Sequence, residues 1–155
     1  MKLEPIKHYY QSRLTWITAR KGILSSGEKP DIPVACAPEF GGHPGIWSPE
    51  DLFVGAVEVC TMATFLWLAE RENIDVKSYK SQAVGTAQMT EGALRFASVN
   101  IKIKVGVSTE KARLKVEKLI REIDDWCLVS QSIKSIVKIE PEVFIENGNV
   151  GSNTS

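Results

Sequence analysis

The segment SPEDLFVGAVEVCTMATFLWLAE, residues 48–70, constrains the fold more than any other part of the chain. Ser48 can cap a helix, Pro49 fits its first position, and Asp51, three residues after the serine, completes a capping box. From Leu52 to Leu68 the helix is apolar over most of its circumference, with Glu58 the main exception, so a buried helix is expected rather than an amphipathic surface one. The sequence NID at 73–75 ends it. The rest of the chain must supply its cover, and one domain of this size buries roughly 68–70% of its unfolded surface without staples.

The flanking runs read as strands. Residues 10–19 (YQSRLTWITA) and 23–26 have strand composition around a turn at Arg20 to Gly22, which suggests a hairpin, and DIPVACA adds a short third strand. PEFGGHPGIW, with two prolines and three glycines, has to be a loop. After the helix, VKSYKSQAVGTAQM and ALRFASVNIKIKVGV alternate polar and apolar residues about a turn at TEG, residues 90–92, and predict a long antiparallel hairpin with one face on the central helix. STEKARLKVEKLIREIDDW predicts a second helix with Ala112, Leu114, Val116, Leu119, Ile120 and Ile123 as its apolar stripe. The short segment CLVSQSIKS and a last strand, IVKIEPEVFIE, complete a single domain over residues 1–146, and the polar 147–155 reads as a disordered tail. Strand and helix runs are segregated rather than βαβ, so the expected class is α+β, antiparallel sheets on a long buried central helix.

Composition removes several functions. Lysine plus arginine equal aspartate plus glutamate at 19 each, so no net field favours nucleic acid or an anionic membrane. The first twenty residues are interrupted by Lys2, Glu4, Lys7, Arg13 and Arg20 and lack the apolar core of a secretory signal. The apolar stretches read as too short and too mixed to span a bilayer, and a cytoplasmic protein is expected. Two histidines, His8 and His43, with three widely spaced cysteines, form neither a zinc cluster nor a secreted disulfide framework.

The cysteines carry the remaining chemistry. Cys60 in VEVCTMATF reads on position alone as a small core residue, because free cysteine is among the most buried residue types. An apolar site also raises a thiol's pKa, so a reactive Cys60 needs a cation such as an arginine nearby. Cys127 in DDWCLVSQSIK falls where one helix ends and another turn begins, and amides at a helix start stabilise a thiolate. It reads equally as a boundary cysteine of no consequence. Cys36 lies in a strand run and reads as structural. Glu50 complements the helix dipole, and Arg20 can be a simple turn cation.

Taken together, PEFGGHPGIWSPEDLFVGAVEVC, the ARKGILSS turn before it and CLVSQSIK near the C-terminus resemble the OsmC/Ohr family, the osmotically inducible protein C and organic hydroperoxide resistance proteins. The likeness runs from the first hairpin to the last strand. LVSQSIK after Cys127 is closer to the OsmC side, and Pro-Glu-x-Leu-Phe leans toward Ohr. The resemblance implies an intertwined homodimer and a cysteine peroxidase with no metal or prosthetic group. By motif, Cys60 would attack the peroxide and become a sulfenic acid, and Cys127 would resolve it to an intramolecular disulfide. Arg20 would hold the thiolate and polarise the peroxide, and Glu50 would orient Arg20. The substrate implied is an organic hydroperoxide, and the reductant a dithiol, of lipoyl type for Ohr-like members.

Helix geometry adds a constraint. Glu50 and Cys60 are separated by about 15 Å along a helix at ~1.5 Å per residue, so each site is expected to combine Cys60 and Cys127 of one subunit with Arg20 and Glu50 of the other. Phe40, Ile46, Trp47, Phe53 and Trp126 lie near these residues in sequence and would give an apolar mouth suited to alkyl or lipid peroxides, or else serve as plain core and interface. Two rival readings share the fold: a non-catalytic dimeric module that binds a small ligand, and a redox sensor signalling through the Cys60–Cys127 disulfide. The complete set of two cysteines, arginine and glutamate favours the enzyme.

Overall fold

The structure, a computed structural model, describes residues 6–146; the 147–155 tail expectation lies outside the described residues. The class is α+β, as expected, and the chain divides into two compact units, Met1–Phe53 and Val54–Ser155.

The first unit is a three-stranded antiparallel sheet in the order β1 (Arg13–Thr18), β2 (Lys21–Ser25), β3 (Ile32–Ala35). The β1–β2 turn places Ala19 at φ 48° and Arg20 beside it. PEFGGHPGIW is a loop, opening with a single 3-10 turn at Pro38–Phe40 and returning at Trp47, whose carbonyl accepts from the Ala35 amide at 3.0 Å. The loop leads into α1 (Pro49–Arg71) through the expected cap: the Asp51 amide donates to Ser48 Oγ at 3.1 Å, and the Ser48 amide donates to Asp51 Oδ2 at 3.0 Å. Two orphan donors of the first turn are thereby satisfied reciprocally.

The second unit carries the rest of α1 and a second sheet in the order β4 (Val76–Thr90), β5 (Ala93–Val107), β6 (Ile136–Ile145). Glu91 (φ 51°) and Gly92 (φ 77°) form the predicted turn between β4 and β5, two consecutive left-handed residues that match the twist of a tight hairpin. Alternation along β5 buries Val99, Ile101, Ile103, Val105 and Val107, each contributing roughly 1.5–3 kcal/mol. Against this face α1 stacks Phe65 on Tyr79 of β4, ring centres 5.7 Å apart, and Ser81 donates to Glu58 at 2.6 Å. Glu58, the one acid within Leu52–Ala69, is thus hydrogen-bonded on the packed side.

Three features depart from the sequence reading. β6 runs parallel to β5, so the second sheet is mixed and β5 to β6 is a crossover through the helices; strand direction depends on that connection and leaves no mark within either strand. Pro141 sits in β6 without loss because β6 is an edge strand. The predicted second helix is broken: α2 (Glu110–Ile120) tightens at its end, where the Arg121 and Glu122 amides bond to Lys118 and Leu119, before a one-turn α3 (Ile123–Trp126) and then α4 (Leu128–Ser132). Leu114 is 56% exposed, because it lies two residues from both Ala112 and Val116 and so off their stripe.

The helix α1 differs in two ways. It buries one face within the chain, Val57, Thr61, Phe65, Leu68 and Ala69, while Val59 (60% exposed), Leu66 and Trp67 remain open. The expectation that no stretch could span a bilayer also fails: α1 has 23 residues and an 18-residue window of mean hydropathy 1.8, enough by length and composition alone. Its packed face carries the Glu58 bond to Ser81 of β4.

Candidate active site

Within the second unit, α1 and the α3–α4 junction bring two thiols together. Cys127 ends α3 and caps α4, as the sequence suggested: its amide donates to Ile123 and its carbonyl accepts from Gln131. Gln131 Nε2 also donates back to the Asp124 carbonyl at 2.6 Å, tying the two short helices into one corner. Trp126 docks this corner on α1, its ring 5.4 Å from that of Trp67, with the Arg71 guanidinium 4.7 Å and 5.6 Å from the two ring centres. Cys127 is fully buried, and Cys60 partly so.

The Cys60 and Cys127 thiols lie close enough for each to act on the other's ionisation. Burial foremost, and then the Cys127 thiol, raise the Cys60 pKa, although the Val129 amide and the Thr64 hydroxyl act against the rise. Burial is also the largest influence on Cys127, but bonds from Ser130 Oγ (3.2 Å), from Cys60 and from the Ser130 and Val129 amides outweigh it and bring its pKa below the ordinary cysteine value. The two thiols therefore titrate as one coupled pair, Cys127 shifted down and Cys60 up. Both sulfurs are reduced.

This arrangement makes a prediction. In the reduced Cys36→Ser protein, which leaves only this pair, the thiolate ultraviolet absorbance should rise in two steps, the first below and the second above the ordinary cysteine range. Ser130→Ala should move the first step upward in pH, because a donor to the anion is lost; two unshifted steps would contradict the coupled pair.

Within the first unit, Arg20, Glu50 and Cys36 line a cavity of about 400 Å³, walled by Leu14, Trp16, Leu24, Val34 and Leu52. No ion pair joins Arg20 to Glu50 among the described residues; the Arg20 Nη1 donates to the carbonyl of Phe40, at the end of the 3-10 turn. Glu50 Oε2 is sealed from solvent with no hydrogen-bond partner. Thus each unit brings together one pair of the four residues read from the sequence, Arg20 with Glu50 and Cys60 with Cys127. The apolar residues expected at a mouth, Phe40, Ile46, Trp47, Phe53 and Trp126, do not line this cavity. Trp126 instead braces the dithiol corner.

Sequence reasoning passed over several contributors. Thr64 stands four residues after Cys60 on the same side of α1, and Ser130 three residues after Cys127, spacings at which helix side chains meet. The Phe40 carbonyl and its neighbour Cys36 had no such local signal. Among the described residues no group of three or more histidine, cysteine, aspartate or glutamate side chains is placed to hold a metal ion.

The sequence model of the OsmC-like proteins matches residues 42–142, and the chain belongs to that family. No curated protein matches it. Among solved structures, an OsmC-like protein of Vibrio cholerae superposes with a TM-score of 0.81 at 22% identity, covering 88% of this chain and 100% of that one. An organic hydroperoxide resistance protein of Elizabethkingia anophelis gives 0.68 at 17%, over 91% and 100% of the two chains. One of Legionella pneumophila gives 0.64 at 17%, over 88% and 98%. These likenesses establish the common fold.

Proposed function

We propose that the protein is a thiol-dependent peroxidase that reduces organic hydroperoxides to alcohols, working as a homodimer. The observation that carries this reading is the pairing of the Cys60 and Cys127 thiols, two cysteines from distant parts of the chain close enough to act on each other's ionisation. A binding module has no need of that pairing. Family membership and the organic hydroperoxide resistance proteins among the structural relatives support it.

The chemistry runs as follows. The Cys60 thiolate attacks the terminal oxygen of ROOH; an S–O bond forms, the O–O bond breaks, and RO⁻ leaves as the alcohol after taking a proton. The Cys127 thiol then condenses with the Cys60 sulfenic acid, forming the disulfide and releasing water. A dithiol reductant, of lipoyl type or similar, returns both cysteines to thiols by exchange.

Among the described residues of its own unit no cation is seen to hold the Cys60 thiolate, and burial works against it. In the proposed dimer Arg20 and Glu50 of the other subunit supply that charge. Two observations support this: Glu50 and Cys60 stand ten residues, about 15 Å, apart on one unbroken helix, and α1 leaves an apolar face open at Val59 and Leu66. The apolar cavity beside Arg20 favours an alkyl or lipid peroxide over hydrogen peroxide.

The test is peroxide consumption by reduced protein with a dithiol reductant. Cumene hydroperoxide should be consumed catalytically and faster than hydrogen peroxide. Consumption of neither above the protein-free rate would remove the peroxidase; equal efficiency on both would remove the organic preference, and a fully active monomer would remove the shared site.

A further inference from the structure

Cys36 follows β3 and is bound into the arginine turn rather than into a core. Its amide donates to the Arg20 carbonyl at 3.2 Å, and its own carbonyl accepts from the His43 amide at 3.2 Å. Its thiol donates to the Phe40 carbonyl oxygen at 3.6 Å, the same oxygen that accepts from Arg20 Nη1. Thiol and guanidinium therefore converge on one atom. Both line the cavity that also holds Glu50, and Cys36 is partly exposed.

Two independent features indicate that this cavity receives a polar guest. Its wall is apolar except at Arg20, Lys21, Glu50 and Cys36, and the sealed Glu50 Oε2 has no hydrogen-bond partner, an unmet demand that costs roughly 1–3 kcal/mol when left buried. A hydroxyl carried on sulfur or oxygen would meet it. Donating to the Phe40 carbonyl uses the S–H proton, so Cys36 stands in this arrangement as a thiol. A thiol is the poorer first attacker on a peroxide but condenses with a sulfenic acid.

We propose that Cys36 is a second resolving thiol, which captures the sulfenic acid on Cys60 of the partner subunit as an intersubunit disulfide. This rests on the shared-site reading above, in which the partner's Cys60 works at the Arg20 cavity. The step balances: the Cys36 sulfur attacks the sulfenic sulfur, an S–S bond forms, the S–O bond breaks, and the oxygen leaves as water with the thiol proton. The oxidising equivalents come from the hydroperoxide, and a dithiol reductant returns both cysteines. Cys127 resolves within a subunit, whereas Cys36 locks two subunits together when Cys127 is unavailable.

The experiment uses reduced Cys127→Ser protein given one equivalent of cumene hydroperoxide, read by non-reducing electrophoresis, peptide mapping and trapping of sulfenic acid with a 1,3-dione. A covalent dimer joining the Cys36 and Cys60 peptides is expected for most chains, in a fraction unchanged by about tenfold dilution, because the two thiols already share one assembly. The Cys36→Ser/Cys127→Ser protein should give no covalent dimer and should keep the trapped adduct on Cys60. A Cys60 adduct in Cys127→Ser without a covalent dimer, or a dimer that fades on dilution, would overturn the role of Cys36 and leave the peroxidase standing. Absence of adduct, dimer and peroxide loss together would overturn both.

Discussion

Serine in place of Cys60 is expected to lower kcat/KM for cumene hydroperoxide by at least about 10³-fold, a barrier increase of about 4 kcal/mol. A hydroxyl at position 60 cannot supply the nucleophile, and no other thiol occupies that place on α1. Cys127→Ser should behave differently. Its first oxidation should proceed at close to the wild-type rate, the sulfenic acid should become trappable on Cys60, and sustained turnover should fall. The pair matters because, within its own unit, the Cys127 pKa is lowered and the Cys60 pKa is raised, burial being the main cause of the rise. If Cys127 were the first attacker, the roles would exchange: Cys127→Ser would lose the first oxidation and Cys60→Ser would keep it. Rapid mixing of each reduced variant with one equivalent of peroxide separates the two orders. The proposed order requires Arg20 to reverse the local preference, so Arg20→Met should slow the Cys60 reaction while leaving the Cys127 environment unaltered.

The sequence was most legible where the determining contacts are local. The Ser48–Asp51 box spans four residues, and its bonds follow from the residues themselves. The Glu91–Gly92 turn and the alternation of β5 are of the same kind, as is the Cys127 position between two helices. What was less legible depends on closure over long separations. The direction of β6 is set by how α2 to α4 cross the sheet, not by IVKIEPEVFIE. The break after Ile120 arises where the chain must turn the α3–α4 corner toward α1, and helix periodicity reads through it.

The candidate site divides along the same line. The four residues Cys60, Cys127, Arg20 and Glu50 were identified by resemblance, not by periodicity or composition. Chemical reasoning supplied the need for a cation but not its anchor. The Phe40 carbonyl that holds Arg20 is a backbone atom twenty residues away, which no side-chain pattern encodes. For the same reason Cys36 read as a strand cysteine: its strand composition is real, but the significance of its sulfur comes from the loop that folds over it. The apolar face of α1 is a further case. Its hydropathy signalled a fully covered helix, and a single chain covers only one side of it.

Valine at Gly42 is expected to reduce peroxidase activity by about 10²-fold while leaving the second unit's core intact, since about 1 Å of misplacement remote from the chemistry can cost that much. The two adjacent glycines of the loop, Gly41 and Gly42, serve different needs. Gly41 ends the 3-10 turn in the left-handed region at φ 77°, where a side chain is strained whatever the space. Gly42 is required by close approach: a Cβ there would lie 1.6 Å from the Cys36 carbonyl oxygen and 2.7 Å from that of Ala37. Both are backbone atoms, and both accept loop hydrogen bonds, from the amides of His43 (3.2 Å) and Gly42 (3.0 Å). Neither can yield without opening the loop, and an opened loop carries the Phe40 carbonyl away from Arg20 and Cys36 together. The dithiol pair lies in the other unit, so the two-step thiolate titration seen in the Cys36→Ser background should be unchanged by Gly42→Val while the Cys60 oxidation rate falls. Wild-type rates in this variant, with the loop's altered geometry verified by crystallography, would show that the arginine needs no such anchor.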